Sequence, residues 1–432
     1  MLLQFEVSNH RSIREPVELS MIAMDNDRAP ARQLDGLDEK VLTVAAVYGP
    51  NGSGKTNVLD ALAWVSRAVA VSLRSWEGSV PVDPFTFGSG PPEPSCFGIE
   101  SMVDGVRYRY ELEIGEACVV REALYSHPER RRRTVFERDR DRLAFRRGTR
   151  LTGGGRELVT PTTLVLSVAG RLTQEINAVS RSLSDIDFVG VWPRAFMAED
   201  AWLYRPYVRW PAHGWDDFLV DVFDEAPQRS PSDLGNESKT GSRQHRELVL
   251  AMLKFADLGV RDVEVADGPI GRSGSVRRVR LLHDVAGDPR PLELGQESNG
   301  TLTWLGMVPE LLASLENGGL MVIDELDASL HPMISARLVE LFQDPATNPR
   351  RAQIIFTTHD TSLLGTLNRD EVWLTSKRGD GSTELTPLSD FRSTSVRRST
   401  NLERGYLQGR FGGVPVVDEC VVREALAAVA PD

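Results

Sequence analysis

The sequence is poor in cysteine and has no long apolar run. Only three of its 432 residues are cysteines (Cys96, Cys118 and Cys420), and this wide spacing provides neither paired metal ligands nor a disulfide framework. No segment approaches the roughly eighteen consecutive apolar residues that a membrane-spanning helix needs. The first residues also lack the basic and apolar segments of a secretory signal. We therefore predict a cytoplasmic protein with no membrane association.

An excess of positive charge and a sustained heptad pattern are missing as well. The net charge is −12, which argues against a protein that coats nucleic acid through bulk charge. Without heptads over several turns, a long coiled coil is excluded. A hydrophobic share of 41% and a charged share of 26% are typical of a globular chain with a sizeable core. The length allows two or three domains, or one large domain with an insertion.

Strand patterns occur at both ends of the chain, with a different pattern between them. Alternating or continuous apolar residues predict strands at 2–7, 41–48, 319–324, 353–358 and 371–375. Three short alternating segments, at 96–103, 106–114 and 118–125, predict an antiparallel sheet, with a hairpin turn at Asp104-Gly105. Residues 165–260 follow a mostly helical pattern, and 260–294 return to strand-like alternation.

A glycine-rich loop stands between a predicted buried strand and a predicted helix. It matches the full phosphate-loop pattern, with the residues Gly49, Pro50, Asn51, Gly52, Ser53, Gly54, Lys55 and Thr56. The glycines let backbone N–H groups turn inward around phosphates, and the helix N-terminus adds a positive dipole end. Lys55 would reach the β- and γ-phosphates of a nucleotide, and the Thr56 hydroxyl would ligate Mg²⁺. The alternative is a glycine-rich turn that matches by chance.

Two carboxylates end the apolar strand at 320–323. Asp324 is placed to hold Mg²⁺, and Glu325 is the candidate general base for a water that attacks the γ-phosphate. A second strand ends at His359, 35 residues after Asp324, and its imidazole could sense the γ-phosphate. Each feature alone also has a structural interpretation. Their order and spacing favour a common site.

A short polar segment precedes the carboxylates and opens a predicted helix from Gly300 to Leu315. It is Glu297-Ser298-Asn299-Gly300-Thr301. A hydroxyl and free N–H groups at a helix N-terminus form an anion site. An ordinary Ser or Asn helix cap is the alternative interpretation.

Together these residues resemble those of ABC-type ATPases. Residues 49–56 resemble Walker A, 320–325 Walker B, 326–331 a D-loop and 297–301 the signature motif, with His359 as the switch histidine. Asn299 stands where the family has its first signature glycine, and His331 replaces the usual D-loop aspartate. No glutamine can be assigned to the Q-loop.

The long interval between Lys55 and Asp324 is similar to the interval in the SMC, Rad50 and OLD-like branch of that family. The opening residues 5–13 and the tail 405–412 are similar to bacterial AAA15 ATP-binding proteins, and Arg11 is a weak candidate for a phosphate contact. This resemblance implies an α/β P-loop NTPase fold with an antiparallel β-lobe and a helical insertion. It divides the chain into 1–165 and 261–432, the two halves of the ATPase head, with the insertion at 166–260.

The resemblance also implies a function. Two heads of a homodimer, or of a higher even oligomer, would enclose ATP and Mg²⁺, with each phosphate loop facing the signature of the other subunit. Hydrolysis would then control a separately encoded effector, such as a nuclease, in DNA maintenance or anti-phage defence. The alternative is an ATP-gated scaffold with little turnover. A self-contained nuclease is not expected, because only about seventy residues follow His359 and they show no acidic cluster.

Residues 130–150 contain ten arginines. Such a strip could bind nucleic-acid phosphate, with Phe136 and Phe145 available for stacking on bases. The favoured interpretation is a solvated hairpin whose charges keep the protein soluble.

Overall fold

The computed structural model describes residues 1–25, 30–87, 93–146, 151, 154–191, 215–223, 239–256, 259–271, 274–328, 330–391 and 402–413. The strands are, in chain order, β1 (Leu2–Ser8), β2 (Val17–Ser20), β3 (Arg32–Gln33), β4 (Lys40–Val41), β5 (Val44–Tyr48), β6 (Ser95–Val103), β7 (Val106–Ile114), β8 (Val119–Ser126), β9 (Arg133–Asp139), β10 (Arg142–Phe145), β11 (Asp187–Val189), β12 (Val260–Gly271), β13 (Gly274–Val285), β14 (Asp288–Glu293), β15 (Leu320–Ile323), β16 (Gln353–Thr357), β17 (Val372–Lys377) and β18 (Thr383–Pro387). The α-helices are α1 (Lys55–Ser75), α2 (Val165–Leu172), α3 (Gln174–Ser184), α4 (Trp215–Phe223), α5 (Lys239–Phe255), α6 (Asn299–Asn317), α7 (Pro332–Gln343) and α8 (Leu402–Leu407).

A six-stranded, mainly parallel sheet forms the centre of the fold. Its strand order is β11-β15-β16-β5-β17-β18. The first five strands run parallel to one another, and β18 is antiparallel to β17. Because the carboxyl ends of parallel strands meet at one edge, the residues that follow β5, β15 and β16 lie side by side. This edge collects the predicted site residues of 49–56, 324–325 and 358–359.

Alternate residues of the central strands enter two different hydrophobic cores. Ala45 and Val47 of β5 pack into a core shared with α1 and the antiparallel sheet, whereas Val44 and Ala46 pack into a core shared with α5, α6 and α7. Side chains of a strand alternate between its faces, and parallel strands covered on both faces are apolar throughout. This explains why β5, β15 and β16 could be predicted from continuous apolar runs.

Helix α1 lies between the central sheet and a second sheet of seven strands. The second sheet has the order β10-β9-β8-β7-β6-β1-β2. Trp64 of α1 is fully buried and stacks on Phe97 of β6, with ring centroids 4.7 Å apart. The turn between β6 and β7 has positive φ at Asp104 (48°) and Gly105 (74°), as a two-residue hairpin requires. The predicted antiparallel lobe, and with it the α/β fold class, is confirmed.

The range 166–260 differs in one element from the predicted helical insertion. Helices α2 to α5 lie in it, but so does β11, which pairs in parallel with β15. Three residues with no strong alternation give little signal, and the pairing is decided by the neighbouring strand. The division at 165 and 260 stays a prediction, since 192–214 and 224–238 lie outside the described residues.

Strands β4, β5 and β18 also depart from the sequence interpretation. The run predicted as one strand at 41–48 is divided, because β4 pairs with β3 while β5 pairs with β16 and β17. Strand β18 was not predicted, since Thr383–Pro387 is largely polar and lies at the sheet edge. Among the described helices, none has the length and apolar character needed to cross a membrane.

Candidate functional site

The glycine-rich loop follows β5 and leads directly into α1, as predicted. Two of its glycines pack against side chains of the β17–β18 hairpin. A Cβ atom at Gly49 would collide with the Thr375 hydroxyl, and one at Gly54 would collide with the Thr383 hydroxyl. Gly54 also has a φ of 103°, a region that favours glycine. Glycine is therefore required at both positions for close packing against the hairpin.

Hydroxyl groups of the β17–β18 hairpin form hydrogen bonds that hold the phosphate loop in place. The Thr375 Oγ1 donates to the carbonyl oxygen of Tyr48 (3.1 Å) and lies 2.6 Å from the Ser53 Oγ. The Thr383 Oγ1 donates to the carbonyl oxygen of Ser53 (2.8 Å) and lies 2.7 Å from the Ser12 Oγ. The buried Ser53 is thus bonded on its side chain and on its backbone. These contacts fix the loop before any ligand is bound.

Lys55 lies inside the loop that precedes it. It is 7% exposed, and its Nζ donates to the carbonyl oxygens of Gly49 (2.9 Å) and Pro50 (3.2 Å). Burial lowers the pKa of the Lys55 ammonium, and the carboxylates of Asp324 and Glu325 act in the opposite direction. A buried ammonium that has only carbonyl partners is suited to receive anionic oxygen atoms.

The side chains of Thr56 and Asp324, which follow strands β5 and β15, are hydrogen-bonded to each other. The Thr56 Oγ1 donates to the two carboxylate oxygens of Asp324, at 2.9 and 3.2 Å. Thr357, at the end of β16, also donates its hydroxyl to Asp324 Oδ1, at 2.6 Å. A hydroxyl and a carboxylate at this separation are the hard oxygen ligands that Mg²⁺ prefers. The residues predicted to bind the metal therefore fit that ion.

Glu325 occupies a backbone conformation that is uncommon for a residue with a side chain. Its φ is 56°, and its N–H donates to the Thr357 Oγ1 at 2.7 Å. Its carbonyl oxygen accepts from the N–H of Ala328 at 2.8 Å. Such a conformation costs about 1–3 kcal/mol and persists where neighbouring bonds enforce it. Glu325 is exposed and directly follows Asp324 in the chain, and its role as general base stays a prediction.

The segment that carries His359 is tied to the end of β15 by one carboxylate. Asp327 Oδ1 accepts from the Thr358 hydroxyl (2.7 Å) and from the N–H of His359 (3.2 Å). The Thr358 N–H donates to the carbonyl oxygen of Val47 at 3.3 Å. Asp327 therefore sets the position of His359 relative to Glu325. The sequence interpretation quoted Asp327 within the D-loop but gave it no role.

Comparison with protein families supports this assembly of motifs. A family model described as "AAA domain, putative AbiEii toxin, Type IV TA system" matches residues 44–149 and 189–365, which is more than half of the chain. The chain belongs to this family. This AAA-domain protein is therefore a P-loop ATPase by family.

Two of the solved structures that match the chain are of SMC heads. The crystal structure of the SmcHead bound to the C-winged helix domain of ScpA has a TM-score of 0.45 and 13% identity, and covers 89% of this chain and 97% of that chain. The Smc head domain with an extended coiled coil, bound to the C-terminal domain of ScpA derived from Pyrococcus furiosus, has a TM-score of 0.40 and 12% identity, with coverages of 89% and 95%. No curated protein matches the chain.

The predicted signature segment of the AAA-domain protein lies at the start of α6. Ser298 is the N-cap of that helix, and its Oγ accepts from the N–H of Thr301 at 3.1 Å. The preceding Glu297 is bonded to His283 Nε2 at 2.7 Å. Within the described part of the chain, no hydrogen bond or ion pair joins Ser298, Asn299 or Gly300 to residues 49–56. The structure thus shows the helix cap, and the signature role stays a prediction.

His331, which replaces the usual D-loop aspartate, caps the next helix. It is exposed, and its Nδ1 accepts from the N–H of Met333 at 3.2 Å. Because Nδ1 is the acceptor, a neutral imidazole carries its proton on Nε2. His331 therefore presents a donor where aspartate would present an acceptor. Ser329 of the same segment lies outside the described residues.

Arg11 makes contacts that differ from the expected one. Its guanidinium lies 3.2 Å from Asp60 Oδ2 and 3.6 Å from Asp83 Oδ2. His10 Nε2 bonds the other oxygen of Asp60 at 2.7 Å. These ion pairs join the segment after β1 to α1, and the phosphate contact of Arg11 stays a prediction.

The arginine-rich strip contains the β9–β10 hairpin, and one of its two phenylalanines is not available for stacking on bases. Phe136 is fully buried and packs on Phe145, with ring centroids 5.8 Å apart. The expectation that Phe136 is available for stacking is wrong, because it faces the core side of β9. Arg138 is also buried and donates to the carbonyl oxygens of residues 140, 160, 161 and 163. Residues 147–150 lie outside the described residues.

Several residues of the site were missed by sequence interpretation. Thr357, Thr375 and Thr383 hold Asp324 and the phosphate loop, and Ser12 supports Thr383. A threonine in a strand is too common to indicate such a role. A signal was available only for Thr357, which follows an apolar strand beside the carboxylates.

Proposed function

We propose that this AAA-domain protein binds ATP with Mg²⁺ and hydrolyses it as a molecular switch. The observation that carries the proposal is the convergence of Lys55, Thr56 and Asp324 at one sheet edge. Lys55 would exchange its carbonyl partners for the β- and γ-phosphate oxygens, which are stronger, charged acceptors. Backbone N–H groups of the loop and the N-terminus of α1 would bind the remaining phosphate charge.

Hydrolysis would use Glu325 as the general base and His359 as the group that contacts the γ-phosphate. Thr56 and Asp324 would hold Mg²⁺, which neutralises charge on the phosphates. The Glu325 carboxylate would accept a proton from the attacking water. Asp327 would keep His359 on the opposite side of that water.

The signature would act on the ATP of a second copy. The N-terminus of α6 offers the Ser298 hydroxyl and the N–H groups of Asn299 and Gly300, and these are donors for phosphate oxygens. In the described chain they make no contact with the phosphate loop of the same subunit. His331 and the 66% exposed Met333 follow the D-loop on the surface. A head-to-head homodimer, or a higher even oligomer, would bury these residues.

The output of the switch would be control of a separately encoded effector. The family description names a putative toxin and a type IV toxin–antitoxin system, which supports a role in defence rather than in transport. A nuclease effector in DNA maintenance or anti-phage defence is the form that we propose. The described part of the arginine-rich strip offers little support for direct nucleic-acid binding.

The test is the oligomeric mass of the full chain, with and without ATP and Mg²⁺. We expect an ATP-dependent dimer that Glu325→Gln stabilises, because loss of the general base slows hydrolysis by about 10²- to 10⁴-fold. Glu39→Gln, an exposed substitution far from the loop, is the matched control and should behave as wild type.

Each outcome separates the alternatives. Unchanged mass in every sample would contradict the dimeric switch. A dimer that forms with wild type and releases no phosphate over hours would instead support the ATP-gated scaffold.

A further inference from the structure

A cationic groove lies at the end of the central sheet opposite the phosphate loop. It is formed by the β3–β4 hairpin and by the loop between α7 and β16, and it has a volume of about 430 Å³. Its polar lining consists of Arg32, Gln33, Lys40, Asn348 and Arg351. Because this loop precedes β16 while the phosphate loop follows β5, the two sites occupy opposite edges of the parallel sheet. We call it the Arg32 groove.

Arg32 is buried without a full set of partners. It is 9% exposed, and its Nη2 donates to the carbonyl oxygen of Gln343 at 2.6 Å. Its Nε is buried and has no hydrogen-bond partner. No carboxylate of the described residues lies within ion-pair distance of its guanidinium. A buried charge with an unused donor is costly, and the cost is relieved by an anion.

A second arginine of the groove, Arg351, lies in a loop that is fixed by hydrogen bonds. Arg351 has a φ of 62°, and the loop is closed by the buried Asn348. The Asn348 side chain donates to the carbonyl oxygens of Phe342 (2.9 Å) and Ala352 (2.8 Å), and accepts from the N–H of Ala352 (2.7 Å). Left-handed backbone at a residue with a side chain is found where the surrounding bonds enforce it.

The charges of the groove do not balance internally. Burial lowers the pKa of Arg32, the carboxylate of Asp344 raises it and the charge of Arg351 lowers it further. Arg32 and Arg351 therefore repel each other, and Asp344 is the acidic group close enough to oppose this.

We propose that the Arg32 groove binds a small phosphate-bearing anion at a site separate from the ATP site. Planar guanidinium groups offer paired donors that match phosphate oxygens. The volume of about 430 Å³ accommodates a diphosphate. Bound phosphate would neutralise the repulsion between Arg32 and Arg351.

The experiment measures binding of inorganic pyrophosphate to the full chain by isothermal titration calorimetry. Lys55→Ala is used as the background, because it removes the main phosphate contact of the other site. Arg351→Gln is the test variant, since Arg351 is exposed and its loss should leave the fold intact. Arg350→Gln is the matched control, because Arg350 is the neighbouring arginine and does not line the groove.

We expect saturable binding that Arg351→Gln weakens about tenfold, which corresponds to the loss of one charge-assisted contact. Arg350→Gln should leave the affinity unchanged. Arg32→Gln should abolish binding, with the melting temperature measured in parallel to confirm folding. Equal affinity in the Arg350 and Arg351 variants, or no saturable heat, would overturn the proposal. Failure to bind pyrophosphate together with Arg351-dependent binding of duplex DNA would assign the groove to nucleic acid instead.

Discussion

The phosphate loop and the predicted signature segment differ in the hydrogen bonds that hold them in place. The loop is bonded by Thr375 and Thr383 from the β17–β18 hairpin, and its threonine is bonded to Asp324. The signature segment is bonded to its own helix through Ser298 and to β13 through Glu297. The phosphate loop is thus organised within the subunit. The signature segment leaves Ser298 and Asn299 exposed, which the proposed contact with a second copy would require.

The sequences of the two regions also differ in how fully they match the patterns expected of them. The phosphate loop matches its pattern at every required position, and Gly49 and Gly54 are constrained by neighbouring threonine side chains. The signature segment keeps Ser298 and Gly300 but has Asn299 in place of a glycine. A helix cap tolerates this change, because asparagine is a favourable residue near a helix N-terminus. Intramolecular packing therefore restricts Gly49 and Gly54 of the loop more than position 299 of the signature segment.

The largest expected effect comes from removing the charge inside the phosphate loop. Lys55→Ala should raise the dissociation constant for ATP by about 100-fold or more, because charge-assisted hydrogen bonds to two phosphates are lost. Fluorescent-nucleotide titration measures the change. The control is Lys377→Ala, which removes an exposed lysine of β17. If the Lys55 variant kept tight ATP binding, the phosphate-loop assignment would be wrong.

A smaller and more selective effect is expected at the signature. Ser298→Arg should block the ATP-dependent dimer and the ATPase activity while ATP still binds the monomer, because a long cation would fill the N-terminus of α6. Loss of the cap alone should cost about 1 kcal/mol of stability. Sedimentation velocity and phosphate release measure the two effects.

Asn317→Arg is the matched control, because it adds the same side chain at the exposed far end of α6. Normal turnover in Ser298→Arg would refute the signature role and leave Ser298 as a helix cap. Loss of turnover in both variants would show that arginine on α6 acts by perturbing the helix.

Sequence reasoning succeeded where one strand or one loop determines the outcome by itself. Strands β5, β15 and β16 are apolar because both faces are covered, and the Asp104-Gly105 turn requires residues that adopt positive φ. The phosphate loop was found because the packing and the chemistry both demand glycine. In each case consecutive residues of the chain determine the local structure, so a sequence pattern can indicate it.

The parts that were missed depend on contacts between distant residues. Strand β11 exists because β15 lies beside it, and β18 because β17 does. The burial of Phe136 is set by which face of β9 meets the core, and the alternation in that segment is broken by an irregular pairing with β8 near Leu124. The roles of Thr375 and Thr383 arise from residues more than 300 positions earlier in the chain. No local pattern can indicate such contacts.

The smallest expected effect tests whether the hairpin contributes to nucleotide binding. Thr375→Val keeps the shape of the side chain but removes the bonds to Ser53 and to the Tyr48 carbonyl. We expect a loss of about 1–3 kcal/mol in the free energy of unfolding and a few-fold weaker affinity for ATP, because the loop must then be ordered on binding. Denaturant unfolding and nucleotide titration measure the two quantities.

Thr386→Val, on the neighbouring strand of the same hairpin, distinguishes support of the loop from support of the hairpin. It makes the same chemical change where no side-chain hydrogen bond to the loop exists, so its ATP affinity should equal that of wild type. If Thr375→Val lost stability but bound ATP as tightly as Thr386→Val, the loop would be ordered by its glycines and by α1 alone. The contrast between an ordered phosphate loop and an exposed signature segment would then depend on the hydrogen bonds between Thr56 and Asp324. The β17–β18 hairpin would not contribute to it.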